Sequence, residues 1–405
     1  MSRLVIVTSN RSVSLRKVAE DIASVARGLG FDEVVTRLYP AFDYNFFKDT
    51  TLMITVMTFD PVWVTPFAVL HREVANMGVK AVFYTTIEGR PARAPGDHWL
   101  YRDLEFVANS EYTARKLREA GARVTGVVYH GVNVEEVAGF SYMRDEIREK
   151  IGVSEGEVLV GYLAAGYLRK GHSYFAQVIK HLSEKSSKVR VAVLTDEKGK
   201  AHYAETPDAI VLDWFGRLSK DKLYGFYHAL DVYAHGALSE GFGLPVLEAL
   251  ASGRPVVHPD YDPLNEITTE QTSFRVPVVS VDYQTEFGGI EYELHYYDPR
   301  AFAEQVLKAV RAVKDRGEKI AKKCKERASE FDVHAVYPKL LTLGDRETSQ
   351  ETGGDGVDVT PIVEHIRELY GKPATPKLLR YPGGDWFIRK ELLEHIERAP
   401  ASTFV

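Results

Sequence analysis

Residues 239–255 of this 405-residue chain are Ser-Glu-Gly-Phe-Gly-Leu-Pro-Val-Leu-Glu-Ala-Leu-Ala-Ser-Gly-Arg-Pro. Short apolar runs on either side of it, within 231–235 and 255–258, are typical of buried strands. Pro245 suits the first turn of a helix, where its missing N–H has no partner, and Gly253 suits the residue that ends one. The stretch therefore predicts a strand, a glycine-rich turn, a helix and a second strand.

The glycine-rich turn is suited to a phosphate, and the two glutamates beside it are suited to hydroxyl groups. Gly241 and Gly243 lack a Cβ atom, so the backbone can approach a ligand closely. A helix that starts at this turn presents free N–H groups and the positive end of its dipole to an anion. Glu240 and Glu248 would repel that anion, so we expect them to accept hydrogen bonds from neutral hydroxyls on either side of it. A nucleotide sugar supplies both kinds of group.

The complete string resembles the Glu-x7-Glu motif of retaining glycosyltransferases with the GT-B fold, closest to family four of that class. The resemblance implies that Glu240 contacts the donor sugar and that Glu248 holds the ribose hydroxyls. It also implies that the diphosphate lies on the turn formed by Gly241, Phe242, Gly243 and Leu244. The alternative is a helix N-terminus with two incidental acids.

Three further strings extend the resemblance along the chain. Residues 106–113 (FVANSEYT) and 128–133 (VYHGVN) resemble stretches at the end of the family's N-terminal domain, although each alone fits an ordinary strand followed by a capped helix or a turn. The third string is Arg169-Lys170-Gly171-His172, where relatives carry a cationic pair that contacts the diphosphate. Fixed cations stabilise the charge of a departing diphosphate, so Arg169 and Lys170 are catalytic candidates. A solvated pair on the surface is the alternative.

The chain departs from the family's pattern at three places. Polar residues 8–12 replace the glycine-rich loop that usually follows the first strand, and Asn10 among them is a candidate contact for acceptor or phosphate. The cation that relatives place early in the second domain is missing from residues 161–168. The His expected after the fourth strand is also missing, so Thr86 or Glu88 would face the reacting centre. Glu88 is either an acceptor-side contact or the cap of the next turn.

Composition limits the class of protein. A chain of 405 residues exceeds what one hydrophobic core usually serves, and a hydrophobic content of 45% supports folded cores. The net charge of −6 argues against a nucleic-acid partner, and a single cysteine excludes a disulfide framework. No run approaches the roughly 20 apolar residues of a membrane-spanning helix. The sequence therefore predicts a cytoplasmic protein.

Alternating strands and helices predict an α/β fold with two Rossmann-like, doubly wound domains, which would enclose a cleft if they face each other. The resemblance implies the same geometry, that of the GT-B fold with its central cleft. The expected strands are 4–8, 52–57, 79–84, 105–108 and 125–129 in the first domain, and 158–163, 189–194, 209–212, 232–235 and 255–258 in the second. We expect an N-terminal acceptor-side domain at 1–137, a nucleotide-sugar-binding domain at 138–343, and a loop and helical tail at 344–405. Helices are expected at 360–370 and 390–398, the first returning to the N-terminal domain.

The expected reaction is transfer of a hexose from UDP-, GDP- or ADP-hexose to a sugar, lipid or small polyol, with retention and without cofactor or metal. No metal is required if the cationic pair and the dipole of the predicted helix carry the charge of the leaving diphosphate. Two alternatives stay open: an epimerase of the same fold, and a silent subunit that only binds nucleotide sugar. A phosphorylase is disfavoured, because no lysine string indicates a covalent cofactor.

The remaining charged segments have simpler interpretations. The basic run 308–327 predicts an amphipathic helix with a solvated face, and peripheral contact with a membrane surface is the alternative. The scattered histidines at 130, 172, 235 and 258 predict satisfied structural side chains rather than a metal site. A homo-oligomer is also compatible with the sequence.

Overall fold

A computed structural model describes residues 2–9, 12–38, 44–60, 67, 70–71, 74–91, 104–216, 218–285 and 289–343. The predicted acceptor contact Asn10 lies outside these residues. So does the segment 344–405 with its two expected helices, and their predicted roles stay predictions.

The first domain is built on a parallel sheet. Its strands, and the short strand β5 of a separate sheet, are β1 (Arg3–Thr8), β2 (Glu33–Leu38), β3 (Leu52–Thr58), β4 (Lys80–Thr86), β5 (Gly89–Pro91), β6 (Glu105–Ala108) and β7 (Arg123–Val127). The order across the parallel sheet is β2-β1-β3-β4-β6-β7. Helix α1 (Val13–Gly28) begins where the Ser12 side chain accepts a hydrogen bond from Leu15 N, and α2 (Glu111–Glu119) begins likewise at Ser110. A 3-10 helix covers Tyr44–Phe47.

Two short helices lead from the first domain to the second. They are α3 (Val134–Gly139), capped by the Asn133 side chain, and α4 (Arg144–Lys150), with a 3-10 turn at Ser141–Met143 between them. Arg144 and Arg148 of α4 both pair with Asp231, at 2.6 and 3.1 Å, which fixes the connection to the second domain.

The second domain repeats the parallel architecture. Its sheet has the order β10-β9-β8-β11-β12-β13, formed by β8 (Val158–Leu163), β9 (Val189–Leu194), β10 (Ala209–Leu212), β11 (Val232–Ala234), β12 (Val256–Pro259) and β13 (Ser273–Val276). Its helices are α5 (His172–Lys185), α6 (Glu197–Lys200), α7 (Lys220–Ala229), α8 (Leu244–Ala251) and α9 (Leu264–Ile267), with 3-10 turns at Leu168–Lys170 and Ala201–Tyr203. The prediction of two doubly wound domains is confirmed. The edge strands β2 and β13 were not anticipated.

A third sheet joins the two domains. Strands β14 (Val278–Gln284) and β15 (Ile290–Tyr297) form an antiparallel pair, and β15 also pairs with β5 of the first domain. None of the sheet's three strands was predicted from the sequence, and β5, which is only Gly-Arg-Pro, carries no alternating pattern.

The described chain ends on the first domain. Helix α10 (Pro299–Ser329) leaves helical geometry at Arg316, and α11 (Val333–Thr342) then packs against α1. Tyr337 and Leu340 of α11 are fully buried in a core shared with α1 and β1. Residues 333–342 thus return the chain to the first domain, because the apolar face of α11 completes that core. None of the helices in the described ranges is long and apolar enough to cross a membrane.

Candidate active site

A cleft of about 310 Å³ lies between the two domains, at the carboxyl ends of their parallel strands. The first domain lines it with the start of α1 and with residues at or after the ends of its strands, and the second with the end of β9 and the segments after β8, β10 and β11. Every predicted donor-site residue lines this cleft: Arg169, Lys170, Glu240, Gly241, Phe242, Gly243, Leu244 and Glu248. Thr86 and Glu88 line it from the opposite side.

The glycine-rich turn is held against the first domain. A Cβ added to Gly241 would lie 2.1 Å from Thr86 Oγ1, so only glycine allows this approach. The Gly241 carbonyl accepts hydrogen bonds from the hydroxyls of Ser110 and Thr113, at 3.3 Å each. Gly243 has φ of +102° and is the N-cap of α8. The sequence predicted this turn and helix, and it missed the contact with the first domain.

Glu240 is 7% exposed and lies between two basic side chains. Its Oε1 is 2.8 Å from Lys170 Nζ and 3.2 Å from His235 Nε2. Burial alone would raise the pKa of Glu240, but Lys170 and His235 outweigh burial and lower it below its usual range. Glu240 is therefore a carboxylate at neutral pH, able to accept hydrogen bonds from hydroxyls and unable to act as an acid.

The cationic pair divides between the interior and the cleft. Arg169 is 1% exposed, and its Nε donates to Glu88 Oε2 at 2.5 Å. The Lys170 side chain is 12% exposed and lies between Glu240 and Glu88, with Nζ 3.7 Å from Glu88 Oε1. Glu88, predicted on the acceptor side, thus has cations of the second domain as its carboxylate partners. Thr86 Oγ1 is buried without a hydrogen-bond partner among the described residues.

Glu248 lies at the other side of the turn, on α8. Burial raises its pKa, against the opposing effects of Lys17 and Tyr227. Lys17 comes from α1 of the first domain, and its Nζ is 4.0 Å from Glu248 Oε1 and 2.9 Å from Asp21 Oδ2. Sequence reasoning missed Lys17, because its position facing Glu248 depends on how the two domains are arranged.

Of the four scattered histidines, two are held by protein partners on both ring nitrogens, one contacts Glu240 and one lines the cleft. His172 and His258 have protein partners for both ring nitrogens, as predicted. His235 faces Glu240, which the sequence did not anticipate. His130 lines the cleft with its Nδ1 2.8 Å from the Tyr84 hydroxyl, and burial lowers its pKa to about 3. Within the described ranges, no cluster of His, Cys, Asp and Glu could hold a metal ion.

Comparison with known sequences agrees with this geometry. Residues 143–285 match the family model for "Glycosyl transferases group 1". The chain is 27% identical over 342 residues to "Uncharacterized glycosyltransferase 335" of Sulfolobus islandicus rod-shaped virus 1, across 83% of this chain and 98% of that protein. It is 26% identical over 179 residues to the alpha-monoglucosyldiacylglycerol synthase of Streptococcus pneumoniae, across 43% of this chain and 36% of that protein. These similarities support a transferase of glycosyl groups.

Solved structures share the fold at low sequence identity. A glycosyltransferase from Rickettsia africae superposes with a TM-score of 0.66 at 14% identity, across 85% of this chain and 97% of that one. HepE of Anabaena, in complex with UDP-glucose, superposes with a TM-score of 0.63 at 15% identity, across 85% of this chain and all of that one. The predicted GT-B architecture is confirmed.

Proposed function

We propose that this protein is a retaining glycosyltransferase that moves a hexose from a nucleoside-diphosphate sugar to a hydroxyl acceptor. The observation that carries the proposal is the position of Glu240. It is a buried carboxylate at the start of the glycine-rich turn, 2.8 Å from Lys170 and across the cleft from the first domain.

The donor would lie along the turn. Its diphosphate would accept hydrogen bonds from the free N–H groups at the start of α8, whose dipole favours an anion. Lys170 would neutralise the charge that grows on the leaving diphosphate. Glu240 would accept hydrogen bonds from hydroxyls of the hexose, and Glu248 from those of the ribose. Arg169 lies behind Lys170, where its charge is opposed by Glu88.

The reaction would be a substitution at the anomeric carbon in which the acceptor enters from the face that the diphosphate leaves. The bond from that carbon to the diphosphate oxygen breaks, and the acceptor oxygen bonds to the same face. The acceptor's proton passes to a diphosphate oxygen, so no protein nucleophile is needed. The charge on Glu240 would stabilise an oxocarbenium-like transition state of the kind that glycoside cleavage generally passes through. An α-linked donor then gives an α-linked product.

Named relatives support the class of donor and leave its base and sugar to experiment. HepE binds UDP-glucose and UDP in its structures, so UDP-hexoses are the first donors to test, before GDP- and ADP-hexoses. Sugars, lipids and small polyols are the acceptor classes. A lipid acceptor would agree with the name of the S. pneumoniae relative.

The test is nucleoside diphosphate release from a panel of UDP-, GDP- and ADP-hexoses without added acceptor. Release from one donor, with free sugar in the α configuration, is the expected result for a retaining enzyme using water as a poor acceptor. Free β sugar would contradict retention. Nucleotide binding without release would favour a silent subunit, and no binding at all would show that the interpretation of Glu240 and Glu248 is wrong.

Glu240→Gln isolates the residue that carries the proposal. We expect its turnover to fall by about 100-fold or more, since it stabilises charge in the transition state. Affinity for the nucleoside diphosphate should stay equal or rise, because Lys170 loses its carboxylate partner. The matched control is Glu304→Gln, since Glu304 is exposed and pairs with Lys185 on the surface. Wild-type turnover in Glu240→Gln would end the assignment.

A further inference from the structure

Glu88 connects the two domains beside the cleft. It follows β4 of the first domain and is 8% exposed. Its carboxylate accepts a hydrogen bond from Arg169 Nε at 2.5 Å and lies 3.7 Å from Lys170 Nζ. Its backbone carbonyl accepts hydrogen bonds from Ser239 Oγ at 2.6 Å and from Glu293 N at 3.1 Å. Three segments of the second domain therefore converge on one residue of the first.

Arg169 depends on the Glu88 carboxylate. The guanidinium is 1% exposed, and its Nη1 has no hydrogen-bond partner in the part of the chain that the structure describes. A buried cation that loses its counter-charge is strongly unfavourable, so the guanidinium would move toward water without Glu88. The Arg169 carbonyl accepts hydrogen bonds from Leu238 N and Ser239 N. Movement of Arg169 would therefore displace the segment that leads to Glu240.

Lys170 takes its position from the same 3-10 turn. Its carbonyl accepts a hydrogen bond from the Tyr162 hydroxyl, and its Nζ is 2.8 Å from Glu240. With its side chain 12% exposed in the cleft, Lys170 is more accessible to a ligand than Arg169. The orientation of Lys170 thus depends on the Arg169–Glu88 pair immediately before it in the chain.

We infer that Glu88 is a positioning residue for the nucleoside diphosphate. Through Arg169 it holds the turn that presents Lys170 to the ligand, and it does so only while the two domains are closed. This inference rests on the proposed function and gives Glu88 a role toward the donor instead of the acceptor. The role has a distinctive sign. A carboxylate beside the proposed diphosphate site would repel the ligand, so loss of its charge alone would make Glu88→Gln bind UDP more tightly, whereas loss of positioning would make the variant bind UDP more weakly.

The first experiment is calorimetric titration of the full chain with UDP. We expect Glu88→Gln to bind UDP about tenfold more weakly, since small displacements of a positioning group have large effects. Glu88→Asp keeps the charge but falls one methylene short of Arg169, so it should also bind more weakly. If Glu88→Gln does not fold, the UDP affinity of Glu88→Asp still tests the inference. Unchanged or tighter UDP binding in the folded variants would overturn the inference.

Glu291→Gln is the matched control. Arg90 Nε lies 2.6 Å from Glu291 Oε2 on the joining sheet, so this pair also links the two domains with the same chemistry. Neither residue lines the cleft. Wild-type UDP affinity is therefore expected for Glu291→Gln. An equal loss in this variant would mean that any interdomain ion pair has the effect, and the specific role of Glu88 would be wrong.

A double-mutant cycle of Glu88→Gln and Arg169→Gln tests the route through Arg169. We expect the double variant to lose no more UDP affinity than the weaker-binding single variant, because both changes break one connection. Additive losses would mean two independent contacts and would overturn the inference. If the wild type binds none of UDP, GDP and ADP, the proposed function itself fails. If the wild type binds UDP and the Glu88 variants bind it equally well, only the inference about Glu88 fails.

Discussion

Each of the three glutamates that line the cleft lies next to a basic side chain. Glu88 is paired with Arg169, Glu240 with Lys170, and Glu248 lies within 4.0 Å of Lys17. Buried charges are tolerated when each has a partner of opposite charge. This explains how each of the three glutamates can be less than a tenth exposed. Under the proposed function, a diphosphate bound in the cleft would compete with Glu240 for Lys170.

Gly241→Ala tests how closely the turn must approach the first domain. The new Cβ would lie 2.1 Å from Thr86 Oγ1 and 3.0 Å from the Ile87 carbonyl, so it should push the two domains apart. Overpacking of this kind costs about 1–3 kcal/mol, and we expect UDP affinity measured by calorimetry to fall by about tenfold or more. Gly126→Ala is the control, because a Cβ there meets nothing within 4 Å. Partial recovery in Gly241→Ala combined with Thr86→Ala would confirm the cause, and an unchanged affinity in Gly241→Ala would contradict it.

At the scale of elements, helix α2 is capped partly by the other domain. Glu266 of α9 accepts hydrogen bonds from Glu111 N at 2.8 Å and Tyr112 N at 2.7 Å, and Ser110 accepts one from Thr113 N. These N–H groups have no partner inside the helix, so a carboxylate is well suited to them. The first turn of α2 is therefore complete only when the second domain is in place.

Glu266→Ala should destabilise the protein by about 1–2 kcal/mol, since it removes two charge-assisted hydrogen bonds at a helix N-terminus. The measurement is the free energy of unfolding in denaturant. Exposed Glu270→Ala, four residues away, is the control and should stay near wild type. A loss in Glu270→Ala as large as that in Glu266→Ala would contradict the capping role.

At the scale of the whole molecule, the two domains share a continuous polar interface. It includes the β5–β15 pairing, the cap from Glu266, the contacts of Glu88, and the ion pair between Lys116 and Glu293. Closure therefore depends on groups that change charge with pH.

Glu293 makes that dependence measurable. Burial would raise its pKa, but His295, Lys116 and Tyr283 together lower the pKa to about 2 from the ordinary value of 4.5. A lowered pKa means that the carboxylate stabilises the folded protein above pH 4.5 and that this contribution is lost as pH falls toward about 2. We expect Glu293→Gln to show a weaker decline of thermal midpoint than wild type over that acid window. Parallel pH profiles for the two proteins would contradict the assignment.

The single cysteine reports on unfolding of the second domain. Burial raises the pKa of the Cys324 thiol to about 12, so almost no thiolate exists at neutral pH. Thiol labelling of the native protein should therefore be slow and should become fast when denaturant unfolds this domain. Rapid stoichiometric labelling under native conditions would contradict the burial of Cys324 in the native protein.

Turns, helix starts and buried strands could be predicted from the sequence, because they depend on residues that are close together in the chain. Positive φ at Gly243 and Gly253, the start of α8 beside Pro245, and the apolar runs of the parallel strands all follow from neighbouring residues. The same patterns located the donor-side candidates, which the structure gathers in one cleft. The resemblance, and not spacing alone, supplied their individual roles.

The pairing of charges across the two domains could be seen only in the folded protein. Glu88 and Arg169 are 81 residues apart, and Arg90 and Glu291 are 201 apart, so neither pair leaves a periodic signal in the sequence. The three-residue strand β5 becomes a strand because β15 supplies its hydrogen-bond partners, and Lys17 faces Glu248 because the domains are closed. Neighbouring residues are thus enough to predict two parallel α/β domains and a turn that is suited to a phosphate. The shape and charge balance of the cleft come from long-range packing, since they depend on the relative placement of two separately folded sheets.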